Sequence, residues 1–166
     1  GATNTFRVLG KKAGILVLLI DIIKGLIAVF LPLLVAKKIG ADEVILIQLL
    51  AGVLVFLGHV FPIFAQFRGG KGVATSLGII IALHPPAASL CVALFLVVFI
   101  VSHYVSLGAI VASCLFPIAI IFIFGSTSVY LNIFSVIIAC TVVLTHKKNI
   151  MRLFQGTENK MNLFKR

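Results

Sequence analysis

The stretch Val105–Phe124, VSLGAIVASCLFPIAIIFIF, decides the fold: twenty consecutive residues without one charged side chain. A helix of that length rises about 30 Å, the thickness of a bilayer's hydrocarbon core. Its Ile, Val and Phe content favours strands in water. Lipid, however, offers no hydrogen-bond partner, and a helix satisfies every backbone N–H and C=O within its own segment. Further apolar runs cover Ala13 to Ala36, Val44 to Leu57 (or on to about Phe64), Val73 to Leu83, Ala87 to Ser102 and Val129 to Thr145. They are continuously apolar, without the alternation of a membrane β-barrel strand. The expected fold is therefore all-α: a polytopic transmembrane helical bundle of about six spans, with short interfacial helices on one side. The Val73 run is short and stops at His84-Pro85-Pro86, because proline cannot continue the hydrogen-bond ladder.

Composition supports this reading. Of 166 residues, 61% are hydrophobic and 11% charged, and the mean hydropathy is +1.27. Ordinary soluble domains are about 45–50% apolar and about 25% charged. A soluble domain and a disordered tail are both excluded, since so little polar surface cannot cover so much apolar volume. The spans fill residues 1–166 and leave a single integral-membrane domain. Cys91, Cys114 and Cys140 lie inside apolar runs without metal-ligand spacing, so neither a disulfide framework nor a zinc site is expected. The chain opens on polar Gly1-Ala2-Thr3-Asn4 without an initiator Met or a secretory signal pattern, and the expectation is that its natural N-terminus lies further upstream.

The charge is lopsided: 14 Lys plus Arg against 4 Asp plus Glu, a net +10. Alternating the ends of six spans places Arg7, Lys11, Lys12, Arg68, Lys71, Lys147, Lys148, Arg152, Lys160, Lys165 and Arg166 on one side. Lys37 and Lys38 fall on the other, diluted by Asp42 and Glu43, and Lys24 lies within a span beside Asp21. The positive-inside rule makes the cation-rich side cytoplasmic. Lys11, Lys12, Lys165 and Arg166 read as topology determinants touching anionic headgroups. Asp21 and Lys24, at i and i+3, read as a buried ion pair or as a lysine reaching toward a polar site.

Three polar segments share the cytoplasmic side and are expected to form one site: residues 1–7, 58–75 and 146–160. In the second, Gly69-Gly70-Lys71-Gly72 precedes an apolar helix with Thr75 and Ser76 in its first turn. Glycines let backbone N–H groups approach an oxyanion, a helix N-terminus adds positive potential, and Lys71 adds a full charge. That chemistry suits phosphate, although the nucleotide P-loop spacing is not met, and a plain turn before a membrane helix remains an equal reading. In the third segment Asn149 and Arg152 share a helix face, offering a donor–acceptor amide and a planar fork for phosphate. Glu158 stands alone among cations, to hold Arg152 or Lys160 or to contact a ligand's hydroxyls. His59 and His146 are general-base candidates, with an anchoring role as the alternative. Phe61, Phe64 and Phe67 either plug the entrance of the site, receive an apolar chain or simply pack.

Together these segments resemble the bacterial acyl-phosphate:glycerol-3-phosphate acyltransferase family. Gly1-Ala2-Thr3-Asn4 with Arg7 looks like the end of the family's first motif. Gly-His-x-Phe-Pro-x-Phe-x-x-Phe-x-Gly-Gly-Lys-Gly-Val-Ala-Thr, Gly58 to Thr75, looks like its second. His-x-x-Asn-Ile-x-Arg-Leu-x-x-Gly-Thr-Glu-Asn-Lys, His146 to Lys160, looks like its third. Asp21-x-x-Lys24-Gly25 is also similar. The chain departs from the family by starting inside the first motif, which implies six spans of a seven-span fold. It also carries His103 in a loop where the family usually has Arg.

The resemblance implies a multi-pass enzyme of the bacterial cytoplasmic membrane that moves a fatty acyl group from a long-chain acyl phosphate to the 1-hydroxyl of sn-glycerol 3-phosphate. Its partners would be those two substrates and membrane lipids, with no cofactor, metal or nucleic acid. His59, Lys71, His146, Asn149 and Arg152 would be catalytic. Thr3, Asn4, Arg7, Gly69, Gly70, Lys71, Gly72, Thr75, Asn149, Arg152 and Glu158 would bind substrate phosphate and hydroxyls. The residues agree with that chemistry: no Gly-x-Ser-x-Gly nucleophile elbow and no His-x-x-x-x-Asp pattern is present, and an acyl phosphate needs neither. The alternative from another class is a transporter of a phosphorylated organic anion.

Overall fold

A computed structural model describes residues 1–38 and 40–161, less the side chains of residues 35, 37, 38, 41 and 42. The topology roles expected of Lys37, Lys38, Asp42, Lys165 and Arg166 thus fall outside the described groups. The described residues are helical, without a strand, and form two compact units.

The first unit, Gly1–Pro86, holds α1 (Ala2–Val8), α2 (Gly10–Phe30), α3 (Ala41–Val60) and α4 (Val73–Leu83). The α-helical ladder of α2 gives way to a 3-10 segment, Leu31–Lys38, where Pro32 lacks the N–H that would continue it. With their flanking turns, α2 and α3 are long and apolar enough to cross a membrane. The burial of α2 is inverted relative to a helix in water. It buries Gly14, Asp21, Gly25 and Val29 on one face and exposes Leu16, Leu19, Ile20, Ile23, Ile27 and Phe30. Such a helix is solvated by lipid and packs through its small and polar residues.

The partner on that face is α4. A Cβ on Gly25 would overlap the Thr75 carbonyl oxygen, and one on Gly78 would overlap the Ile22 carbonyl oxygen, so the two backbones are in direct contact. Gln48 of α3 adds a buried hydrogen bond from Nε2 to the Val29 carbonyl, 3.0 Å. The 11-residue α4 rises about 16 Å, half the hydrocarbon thickness. The run over Val73 to Leu83 is thus the short apolar helix the sequence showed, buried against α2.

The second unit, from Ala87 onward, contains most of α5 (Pro85–Ser102), then α6 (Val105–Ile118), α7 (Val129–Thr145) and α8 (Lys147–Phe154). Pro117 breaks the ladder of α6, and Ala119–Ile123 continue as a π-turn in which the Phe124 N–H reaches back to the Ala119 carbonyl, 2.8 Å. The span nonetheless runs unbroken over Val105–Ile123. Ser128 caps α7, its hydroxyl accepting from the Leu131 N–H. Phe116, Ile120, Phe134, Ile138 and Val142 form the core of this unit. α7 and α8 bend by 58° at His146. Among the described residues four helices are long and apolar enough to cross a membrane, and a fifth if α7 and α8 count together, with α4 a shorter apolar helix, against the six spans expected. The all-helical, multi-pass membrane architecture is the one the sequence implied.

Candidate active site

The first unit builds its polar region around His59, near the end of α3. Asp21 and Lys24 sit one turn apart on α2. Lys24 Nζ lies 2.5 Å from Asp21 Oδ1 and 2.5 Å from His59 Nδ1. His59 Nδ1 is 3.3 Å from the same carboxylate oxygen. The Asp21–Lys24 pair follows from i,i+3 spacing, and both sequence readings hold together: the lysine is paired, and it also reaches the polar segment.

Beyond α3 the chain turns sharply, with Gln66 and Phe67 in the left-handed region at φ 53° and 60°. It then folds back on the helix end. The Gly69 N–H donates to the Val60 carbonyl and the Gly70 N–H to the His59 carbonyl, both 3.2 Å. These two N–H groups satisfy the carbonyls at the C-terminus of α3 rather than facing outward, which corrects the expectation that they cradle an oxyanion. The glycines are needed for space instead. A Cβ on Gly69 would overlap the His59 and Val60 carbonyls, and one on Gly70 would overlap His59 Nε2. What faces outward is the exposed Lys71 at the start of α4, whose N-cap Gly72 adopts φ 80°. The N–H groups of the first turn, from Val73, have no partner within the helix and carry its positive potential. Thr75 is completely buried, its hydroxyl lacks a hydrogen-bond partner, and its carbonyl lies over Gly25. The phosphate contact expected of Thr75 is not open in this arrangement.

Thr3, Asn4 and Arg7 lie on α1, with Asn4 and Arg7 exposed and Thr3 half-buried. α1 packs on α2, with the Phe6 ring where a Cβ on Gly14 would be. A Cβ on Gly1 would sit 3.5 Å from Gly70 Cα, so the N-terminal segment and the glycine turn are neighbours.

The second unit builds its polar region around Glu158. His146, at the α7–α8 bend, is 2% exposed, and its Nδ1 lies 2.8 Å from the Val142 carbonyl oxygen. A carbonyl only accepts, so Nδ1 carries a hydrogen. One and two turns into α8 come Asn149 and Arg152. After Gly156, at φ 69°, the chain returns and Glu158 points back. Its Oε1 accepts from Ser106 Oγ at 2.9 Å and Asn149 Nδ2 at 2.7 Å, and its Oε2 from Arg152 Nε at 2.7 Å. Burial opposes the charged form of Glu158. The bonds from Arg152, Asn149 and Ser106, with the guanidinium charge, outweigh it and hold the carboxyl below its ordinary value.

Glu158 is thus a buried hub that orients Arg152 and Asn149. Of its sequence-level readings the structure realises the hold on Arg152; Lys160 instead sits 5.4 Å over the Tyr104 ring. Ser106 was not singled out, although a serine opening an apolar helix after Ser102-His103-Tyr104 was a signal. His103 is exposed at φ 61°, and its carbonyl accepts the Met161 N–H at 2.9 Å, tying the tail to the α5–α6 loop. Among the described residues no three His, Cys, Asp or Glu side chains are grouped to hold a metal.

Apolar spans carrying an outward lysine beside a glycine turn, and an arginine held by a buried carboxylate, define a multi-pass membrane protein with preorganised cationic sites. The chain belongs to the glycerol-3-phosphate acyltransferase family, whose profile matches residues 1–156. Relatives named glycerol-3-phosphate acyltransferase include one from Trichlorobacter lovleyi, 45% identical over 160 residues, covering 96% of this chain and 78% of that one. Another, from Chlorobaculum tepidum, is 39% identical over 188 residues, covering 98% and 81%. Two crystal structures of PlsY (YgiH), an integral membrane glycerol 3-phosphate acyltransferase, share the fold. Its glycerol 3-phosphate form gives a TM-score of 0.87 at 35% identity, over 99% of this chain and 81% of that one. Its lysophosphatidic acid form gives 0.85 at 36%, over 98% and 79%. Family membership sets the chain among acyltransferases rather than transporters.

Proposed function

We propose that the protein transfers a fatty acyl group from a long-chain acyl phosphate to the 1-hydroxyl of sn-glycerol 3-phosphate, giving 1-acylglycerol 3-phosphate (lysophosphatidate) and inorganic phosphate. The observation that carries this reading is the Glu158 clamp. Among the described residues it holds Arg152 through Nε, at 2.7 Å, and the two Nη groups of the fork are the donors suited to an external oxyanion. The related crystal structures with glycerol 3-phosphate and with lysophosphatidic acid support the same acceptor and product.

In the reaction the glycerol hydroxyl oxygen attacks the acyl carbon, the bond from that carbon to the phosphate oxygen breaks, and phosphate leaves with its electron pair. The donor is a mixed anhydride and already activated, so positioning and charge stabilisation carry the rate. Orientation alone reaches about 7–11 kcal/mol in favourable intramolecular cases. Lys71, Arg152 and Arg7 supply positive charge for the phosphates, and Asn149 supplies a donor and acceptor for a hydroxyl. The hydroxyl proton passes to a substrate phosphate oxygen. Two findings support that route over a histidine base: Lys24 occupies His59 Nδ1, and His146 is buried. The loop-charge asymmetry supports a bacterial cytoplasmic membrane with the cation-rich side facing the cytoplasm.

The test is an assay of the purified full-length protein with glycerol 3-phosphate and either palmitoyl phosphate or palmitoyl-CoA. Lysophosphatidate forms from the acyl phosphate. Product from the thioester alone overturns the donor, and no product from either overturns the reading.

A further inference from the structure

We infer that Lys24 is a positioning residue: its ammonium fixes His59 as the Nε2–H tautomer and directs that N–H to the glycine turn as a further donor for the substrate phosphate. The last step rests on the function proposed above; the tautomer does not.

The argument starts from hydrogen-bond inventory. A lysine ammonium has three donors and no acceptor. Lys24 Nζ lies 2.5 Å from His59 Nδ1, so Nδ1 must present its lone pair, and the neutral ring carries its hydrogen on Nε2. The reverse tautomer would aim its N–H at Asp21 Oδ1, 3.3 Å away, but would oppose that N–H to the ammonium at 2.5 Å, and the ammonium already donates to Oδ1 at 2.5 Å. Asp21 Oδ1 accepts from the same ammonium, holding it in place. His59 is 10% exposed in its side chain and Asp21 9%, so neither group swings freely into water. The other edge of the ring is equally constrained. Nε2 lies where a Cβ on Gly70 would be, next to the outward-facing Lys71. The chain Asp21, Lys24, His59, Gly70 therefore runs from the interior of a membrane span to the turn that carries the cation. His146 instead carries a hydrogen on Nδ1, toward the Val142 carbonyl, so the two histidines are not interchangeable.

The test reads the tautomer and the kinetics separately. In full-length protein labelled with 15N-histidine, the His59 signals are those lost in His59→Gln. They are expected to show a protonated Nε2 and a bare Nδ1, with the Nε2–H resonance moving on addition of glycerol 3-phosphate. A protonated Nδ1 overturns the tautomer, and an Nε2–H that glycerol 3-phosphate leaves unmoved overturns the phosphate contact. Lys24→Met is expected to raise the KM for glycerol 3-phosphate about tenfold, since small misplacements near a reacting centre are costly. In the His59→Gln background, whose side-chain NH2 replaces Nε2–H without help from an ammonium, Lys24→Met is expected to change KM less than about twofold. Equal losses in both backgrounds mark a structural role alone and overturn the inference. Should the uncompensated Asp21 unfold Lys24→Met, the pair Asp21→Asn with Lys24→Met removes both charges, and its His59 is expected to show mixed tautomers. A retained pure Nε2–H form there overturns the role of Lys24. Wild-type protein that acylates no glycerol 3-phosphate removes the proposed function while the tautomer spectrum still stands or falls by itself.

Discussion

Arg152 and Glu158 meet at 2.7 Å, yet 39% of the arginine side chain is exposed against 2% of the glutamate's. One end of the pair is buried and the other is open to its surroundings. Glu158→Gln keeps the shape and loses the charge that orders Arg152 and Asn149. It is expected to cost about 1–3 kcal/mol of stability, the scale for unsatisfied buried polar groups. Turnover is expected to fall by about 100-fold, the scale for a misplacement near 1 Å. Thermal unfolding and steady-state kinetics of the variant check both. Wild-type turnover in Glu158→Gln would remove the hub from the mechanism.

Lys71 and Arg152 differ in their settings. Lys71 is exposed on the turn, whereas Arg152 is one of three donors to a buried carboxylate. Both Lys71→Ala and Arg152→Ala are expected to lower kcat/KM by roughly 10²–10³, the scale for removing one preorganised charge-stabilising donor. Their melting temperatures should differ. Arg152→Ala drops without unfolding the bundle, because among the described residues Glu158 keeps Ser106 and Asn149, and it drops further than Lys71→Ala, where no buried carboxylate is uncovered. Equal melting temperatures would show that the clamp contributes nothing to stability.

The depressed Glu158 carboxyl also sets a pH dependence. Its ordinary value is 4.5 and its folded value lies lower, so the unfolded chain takes up this proton first as pH falls. The contribution of the clamp is complete above the ordinary value and is lost as pH drops through the folded one. Melting temperature should stay level from about pH 7 to about pH 5 and decline below, and Glu158→Gln should lack that acid decline. An identical decline in both proteins would place the acid sensitivity elsewhere.

Residues that meet within one helix were legible in the sequence. Asp21 with Lys24 and Asn149 with Arg152 follow from i,i+3 spacing, and the apolar runs follow from what lipid demands of a backbone. Contacts across long separations were not. His59 joins Lys24 from 35 residues away and Ser106 joins Glu158 from 52, and no local period encodes either. The Gly69 and Gly70 N–H groups show the same limit from another side. Composition marks a glycine turn as able to expose its amides, but only the fold of the turn onto α3 determines that their partners are the Val60 and His59 carbonyls. The Val73 to Leu83 run was legible as a short apolar helix. What makes it a buried helix is its backbone contact with α2, which hydropathy cannot register.

That contact gives a paired prediction from glycines that hydropathy treats alike. A Cβ on Gly78 would overlap the Ile22 carbonyl oxygen, whereas one on Gly58 would have nothing within 4 Å. Gly78→Ala must push α4 off α2, at roughly 1–3 kcal/mol for an overpacked site. Gly58→Ala lies in α3 and is expected to stabilise by roughly 0.5–1 kcal/mol, the usual helix gain over glycine. The effect on activity should split too. Ile22 lies between Asp21 and Lys24, so displacing that part of α2 shifts the ammonium from His59, while Gly58→Ala leaves the contact alone. Melting temperatures and turnover of the two variants decide it. A Gly78→Ala protein as stable and active as wild type would show that the α2–α4 contact does not hold Lys24 in place.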